Sequence, residues 1–334
     1  MNKQNCAVLL LIIFVVIVIV FGVSTDWTFS CKNNNDNDND FKKCSEQYQF
    51  VSDKLDCGNI NEKIEQVADL DQEIEKYINK EENNGNVKQV SVMFRDLKSF
   101  RWFGVNENVK FYPASLSKLP ISMMFYKAAE VNDKLLSVNL EIKTEDAQTN
   151  DGQHFRPKEN LEAGKSYPVQ ELIRRILTYS DNAPLGPLLD ASESFHESVL
   201  SDLGIFSPAQ EGEEDGTWNV TAKTYANLFR ILYNASYLRP EYSNRILSQL
   251  ADSEFNSGII AGVPKDTRVA HKFGETLYRD DETGSFFTIL NDCGIIYKRE
   301  NPYILCIMTE GEKENFEDQQ RIISEISRSI YSSL

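Results

Sequence analysis

Tyr112-Pro113-Ala114-Ser115-Leu116-Ser117-Lys118-Leu119-Pro120 decides how this chain is read. A non-helical approach, Phe111 to Ala114, gives way to an apolar run through Ala129 that suits a helix. Ser115 is therefore placed at a helix N-terminus. There the unpaired N–H groups and the positive dipole end favour developing negative charge. Lys118, three residues on, falls on the same face one turn away. A serine hydroxyl is a poor nucleophile without an adjacent base. A lysine whose pKa is lowered by burial and neighbouring cations supplies one. Alone, Ser-x-x-Lys is a common string, equally served by a capping serine and a solvated lysine.

Two later motifs change that balance. Ser180-Asp181-Asn182 follows Leu177-Thr178-Tyr179 and separates two helical segments. Its residues favour a turn. The Ser180 hydroxyl can relay a proton between Lys118 and a leaving nitrogen. The Asn182 amide can bind a substrate carbonyl and help hold Lys118. Lys272-Phe273-Gly274 lies on an expected strand, Arg268 to Thr276. Glycine at a strand edge permits close approach of a substrate. Lys272 can attract a carboxylate and lower the pKa of Ser180 or Lys118. The backbone N–H groups of Ser115 and Glu275 form a candidate oxyanion hole, where one donor is typically worth about 2.7–4 kcal/mol. A bland reading exists for each motif: a helix cap, an ordinary turn, an edge lysine that blocks aggregation. Three motifs in this order, on helix, turn and strand, are hard to ascribe to chance.

Ser-x-x-Lys, Ser-Asp-Asn and Lys-Thr-Gly are the signature of class A β-lactamases and penicillin-binding proteins. The chain resembles this family of penicillin-recognising serine hydrolases from about Ile60 to Leu334. Arg95-Asp96-Leu97 followed by Trp102-Phe103-Gly104 resembles the family's opening hairpin, and Tyr112 to Pro120 its nucleophile helix. The resemblance implies an α+β, β-lactamase/transpeptidase-like fold. Its antiparallel sheet is flanked by N- and C-terminal helices and joined to an all-helical subdomain. It implies that Ser115 is the nucleophile, Lys118 the base, Ser180 the proton relay and Lys272 the carboxylate partner. Asn182, Gly274 and Glu275 become substrate-binding positions. The substrate is a β-lactam or a peptidoglycan stem peptide, and no metal or organic cofactor is implied.

Two departures bear on mechanism. The middle residue of the family's third motif is usually Thr or Ser, whose hydroxyl helps hold the substrate carboxylate; here it is Phe273. A hydrogen bond to a charged group is worth roughly 1.5–3 kcal/mol. Thr276 and Arg279 are candidate substitutes. Class A β-lactamases also carry Glu-x-x-Leu-Asn on an Ω-loop, where the Glu activates water against the acyl-enzyme. No such string lies between Asn182 and Asn219. Glu197, in an expected helix, is the nearest match; Glu211, Glu213 and Glu214 lie in the loop from Phe206 to Trp218. Three functions follow from the resemblance: a β-lactam hydrolase, a D,D-peptidase slow to release β-lactams, and a non-catalytic penicillin-binding sensor. The first fits the class A-sized architecture, the second the missing glutamate. Against the third stands the fact that all three motifs keep their reactive residues.

Patterning outward from these motifs agrees. Ile74, Tyr77 and Ile78 continue a helical spacing that starts near Ile60, and Asn83-Asn84-Gly85-Asn86 stops it. Val90, Val92 and Phe94 alternate as a strand, with Phe100 to Val105 as its hairpin partner. A helix-rich middle follows, marked by Val169, Leu172, Ile173, Ile176 and Leu177, then by Tyr225, Leu228, Phe229 and Leu232. Three strands, Arg268 to Gly274, Phe286 to Tyr297 and Tyr303 to Thr309, precede a last helix with Phe316, Ile323, Ile326 and Ile330.

The chain has 334 residues, 41% of them hydrophobic, which supports a real core. A net charge of −16 argues against a nucleic-acid partner. Ala7 to Val23 carries no charge, with Lys3 before it and Asp26 after it. That pattern predicts a signal anchor over 1–24, a cleaved signal being the alternative. The polar tract Lys32 to Asp40 then belongs to a linker over 25–59, ahead of a hydrolase domain over 60–334. The expected molecule is a membrane-anchored monomer with its catalytic domain outside the cytoplasm. Six cysteines and three histidines, with no Cys-x-x-Cys, disfavour a zinc site. Cys44 and Cys57 are a candidate disulfide. Cys293 and Cys306 face each other across an expected hairpin, with buried free thiols as the alternative.

Overall fold

The structure is a computed structural model that describes residues 49–51, 68–99, 101–204, 219–279, 284–299, 301–313 and 316–334. Ala7–Val23, Cys44, Cys57, Ile60, Ile64, Glu211, Glu213 and Glu214 lie outside the described residues. Among the described residues no helix is long and apolar enough to cross a membrane.

The fold is α+β, centred on a five-stranded antiparallel sheet. Its strands are β1 (Gln89–Asp96), β2 (Trp102–Val105), β7 (Arg268–Arg279), β8 (Phe286–Tyr297) and β9 (Tyr303–Gly311), in the order β2-β1-β9-β8-β7. The chain enters through helix α1 (Ala68–Asn83) and leaves through α9 (Glu317–Ser333). Between the two halves of the sheet lie α2 (Lys118–Ala129), α3 (Thr144–Ala147), α4 (Val169–Thr178), α5 (Leu185–Ser192), α6 (His196–Asp202), α7 (Ala222–Tyr233) and α8 (Pro240–Ala251). Two small ribbons also form there: β3 (Lys110–Phe111) with β6 (Val220–Thr221), and β4 (Asn139–Glu141) with β5 (Ser166–Pro168).

Strand alternation assigns the two faces of the sheet. Tyr303, Leu305 and Ile307 of β9 join Leu70, Ile74 and Ile78 of α1 and Ile322, Ile323, Ile326 and Ile330 of α9 in one core. Ile304, Cys306 and Met308 point the other way, into the core shared with the helical subdomain. Both faces are covered, so the strand reads as an apolar run without a polar side. Helix α2 is buried nearly all round, with Leu119, Ile121, Met123, Met124, Phe125 and Tyr126 inside. An all-round apolar helix belongs at the centre of a subdomain, and α2 carries Lys118 into that position. Helix α7 starts at an N-cap, where Thr221 Oγ1 accepts from Thr224 N at 3.0 Å.

Cys293 and Cys306 are register partners of β8 and β9 and are joined by a disulfide. The alternative of two free thiols does not hold. The spacer expected over 25–59 contributes a core residue: Phe50 is buried. Its N–H donates to Asn244 Oδ1 at 3.0 Å, and its carbonyl accepts from Tyr297 Oη at 3.0 Å. The ring meets Tyr297 edge-on, and the Arg268 guanidinium lies 5.2 Å from its centroid.

Candidate active site

Ser115 does not begin the α-helix itself. It lies in a 3-10 turn, Ala114–Ser117, that runs directly into α2 at Lys118. A 3-10 turn eclipses residues three apart, so it aligns Ser115 with Lys118 better than an α-turn would. Lys118 Nζ sits 2.8 Å from Ser115 Oγ. Ala114, just before Ser115, has φ 49°, and Ser180 has φ 55°. Non-glycine residues in this left-handed region cost of order 1–3 kcal/mol and recur at functional sites.

The turn at Ser180 comes to Lys118 from the next segment. Lys118 Nζ lies 3.2 Å from Ser180 Oγ, and it donates to Ser180 O at 2.6 Å and Asn182 Oδ1 at 2.5 Å. Lys272, from the edge strand β7, donates to Ser180 Oγ at 2.8 Å and to Phe273 O at 2.6 Å. Ser115, Lys118, Ser180, Asn182 and Lys272 therefore form one connected cluster. Lys118, Ser180 and Lys272 are fully buried, whereas Ser115 is partly exposed.

Burial sets the state of the two amines. It lowers the Lys118 pKa to about 7, against the opposing pull of Asp181 and Glu275. Lys272 falls well below the ordinary lysine value, first through burial and then through the charge on Lys118; Asp292 and Glu275 oppose this. Desolvation wins over the carboxylates in both cases. A neutral Lys118 has a lone pair to offer the Ser115 hydroxyl.

Gly274 is required by the protein's own backbone. A Cβ there would lie 2.6 Å from Pro113 O, 2.8 Å from Leu116 N and 3.0 Å from Ser115 N. The sequence alone assigns this glycine to substrate approach; the close approach seen is that of the Pro113–Leu116 turn. Two further bonds fix that turn: Tyr225 Oη donates to Leu116 O at 2.8 Å, and Asn291 Nδ2 to Tyr112 O at 3.0 Å. Both come from positions more than 100 residues away, which no local signal announces.

Asn182 is more constrained than its expected role as a substrate clamp. Its Oδ1 is on Lys118, its Nδ2 donates to Thr149 O at 3.3 Å, and its N–H to Asn150 Oδ1 at 2.8 Å. Asp181 plays a structural part. Its carboxylate accepts from Arg175 Nε at 2.6 Å, Asn150 Nδ2 at 2.8 Å and Ala183 N at 3.0 Å. Arg175 also donates to Glu159 O. The pair is buried and holds the Ser180–Asn182 turn against α4.

The missing hydroxyl of the third motif is not replaced by Arg279, which donates to Gly284 O and stacks on Phe286 at the far end of β7. Phe273 is buried against Phe255, ring on ring at 4.2 Å. The Glu275 carboxylate accepts from His154 N at 2.8 Å and Phe155 N at 3.1 Å. Glu197 is exposed on α6.

Solved structures share this fold. PBP-A, solved as a mutant in an acyl-enzyme complex with penicillin G, matches at TM-score 0.65 and 19% identity, over 80% of this chain and 96% of that one. TLA-3 extended-spectrum β-lactamase matches at TM-score 0.67 and 20% identity, over 79% and 98%. A β-lactamase from Xanthomonas campestris matches at 0.65 and 18%, over 79% and 98%. Comparison with curated proteins finds no match. The sequence model of the Beta-lactamase enzyme family, Beta-lactamase2, matches residues 69–334. That span covers all three motifs, the whole sheet, helix α9 and all of α1 but Ala68, so the chain belongs to the Beta-lactamase enzyme family.

Proposed function

We propose that the protein is a class A β-lactamase-like serine hydrolase that opens β-lactam amide bonds through an acyl-enzyme at Ser115. One observation carries this reading: the Lys118 amine is buried between Ser115 Oγ and Ser180 Oγ, with Lys272 on the far side of Ser180. Neutral Lys118 takes the Ser115 proton as Oγ adds to the lactam carbonyl. The N–H groups of Ser115 and Glu275 receive the oxyanion. The Ser180 hydroxyl protonates the leaving nitrogen and is resupplied from the Lys118–Lys272 pair. The C–N bond of the ring breaks, leaving an ester on Ser115 whose acyl group still carries the ring nitrogen as an amine. Water then releases the acid and restores the serine.

The absence of Glu-x-x-Leu-Asn between Asn182 and Asn219 favours a second reading, a D,D-peptidase acting on D-Ala-D-Ala stem peptides and slow to release β-lactams. Both readings put the catalytic domain outside the cytoplasm on an N-terminal anchor. The uncharged Ala7–Val23 run supports this, as does the Cys293–Cys306 disulfide, a bond typical of oxidising compartments.

The test is to incubate the full-length protein with labelled penicillin and follow intact mass. Rapid gain and loss of one adduct supports the hydrolase; a long-lived adduct on Ser115 supports the peptidase. No adduct on folded wild-type protein with labelled penicillin or with its methyl ester overturns both. Ser115→Ala removes labelling while leaving the fold intact.

A further inference from the structure

The segment from Thr149 to Arg156 leaves the Ser180–Asn182 turn and crosses to the sheet. At its start, Thr149 O and Asn150 hold Asn182, and Gln153 Nε2 donates to Ser180 O at 3.0 Å. At its end, the N–H groups of His154 and Phe155 grip the Glu275 carboxylate on β7. The Phe155 ring then inserts among Phe255 at 4.9 Å, Phe273 at 5.8 Å and Phe316 at 5.9 Å. The segment is thus a strap joining the helical subdomain to the sheet at the Lys272 end of the cluster. Phe273, where a hydroxyl was expected, is one of its anchors.

This arrangement leaves little to attract an anion. Phe273 has no donor and is buried in the strap's aromatic socket. Both bonds of the Lys272 amine go to internal acceptors, Ser180 Oγ and Phe273 O. Burial and Lys118 push the Lys272 amine toward its neutral form. The charge that the strap itself grips is the Glu275 carboxylate, which repels another carboxylate. Of the nearby cations, Arg156 donates to Gln153 O at 3.1 Å and to Asp151 O, and Lys158 pairs with Glu254 at 3.2 Å.

We propose that the 149–156 strap, anchored by Phe155 in the Phe255–Phe273–Phe316 socket and by Glu275, selects acyl donors that carry no carboxylate on the leaving-group side. The fitting substrate class is an amidated or internal peptide bond, or a neutral lactam, rather than one ending in a free carboxylate. This rests on acylation at Ser115 as proposed above and counts against the D-Ala-D-Ala reading, whose leaving group carries a free carboxylate.

The probes are penicillin G and its methyl ester, which differ in that one charge. Acylation rates of full-length protein are read by intact mass for wild type, Phe155→Ala, Phe155→Leu and Glu275→Gln. Near-UV circular dichroism verifies folding, and Phe155→Leu serves if the alanine variant does not fold. The wild type should acylate with the ester at least as fast as with the acid. Glu275→Gln and the Phe155 variant should each raise the acid-to-ester ratio about tenfold, the effect of roughly 1.4 kcal/mol. If adducts form on Ser115 but the wild type prefers the acid, or the variants leave the ratio unchanged, the strap's role is overturned while acylation stands. If folded wild type forms no adduct with either probe, acylation at Ser115 and the strap's selectivity fall together.

Discussion

At the scale of single residues, the site depends on an amine that is neutral when lysine ordinarily is not. Lys118 is depressed to about 7, so the base form appears as pH rises through that value. The acylation rate of Ser115 should therefore rise with pH along a limb centred near 7 and then level off. A limb at the ordinary lysine value in stopped-flow acylation would contradict Lys118 as the base. Gly274 makes an equally local demand. Gly274→Ala puts a methyl into Pro113 O and Ser115 N and should displace the oxyanion donor. Loss of such a donor costs on the order of 10²–10³ in rate, measurable as acylation with near-UV circular dichroism unchanged. Ser115, Lys118, Ser180 and Lys272 are legible in the sequence because each reactive group lies within a short string. Asn150, Glu275 as a side-chain anchor and Tyr225 are not, since their partners lie tens to more than 100 residues away.

At the scale of elements, strands and helices follow the written periodicities. β8 and β9 lie where alternating or continuous apolar runs predict them, and the final helix follows Phe316. The 3-10 turn at Ser115 is not legible, because helix and 3-10 share the same start signals and differ only in packing beneath them. The strap is also invisible: its sequence is polar and irregular, and its order comes from Glu275 and three phenylalanines supplied by other elements. The Ser180–Asn182 turn depends on the buried Arg175–Asp181 pair. Asp181→Asn leaves Arg175 buried without its anion. Breaking such a pair typically costs about 3–5 kcal/mol, and urea unfolding should report a loss of that order. An unchanged midpoint would show that the turn stands without the pair.

At the scale of the molecule, the folded unit draws on chain well before its first described helix. Phe50 closes the seam between β8, α8 and the start of β7. Phe50→Ala should cost about 3 kcal/mol, at the low end for a buried phenylalanine. A chain cut just after Phe50 should lose as much, while one cut before Gln49 should not; urea midpoints of the three compare directly. The segment over 25–59 gives no hint of this, since Tyr48, Phe50 and Val51 form too short an apolar stretch among polar residues to set a period.

The paired amines also give the whole molecule a proton signature. An unfolded lysine holds its proton up to about 10.5, whereas folded Lys118 releases it from about 7 upward. Between these values the unfolded chain binds more protons, so stability climbs with pH. Above about 10 the trend reverses. Tyr225 and Tyr297, whose pKa values are raised well above the ordinary tyrosine value by burial, keep their protons when folded and lose them when unfolded. The urea midpoint should rise from about pH 7 to about pH 9, and Lys118→Met should flatten that rise. Between about pH 7 and 9, folding this protein is thus a reaction that acidifies its surroundings, and the buried Lys118–Lys272 pair is a principal source of the acid.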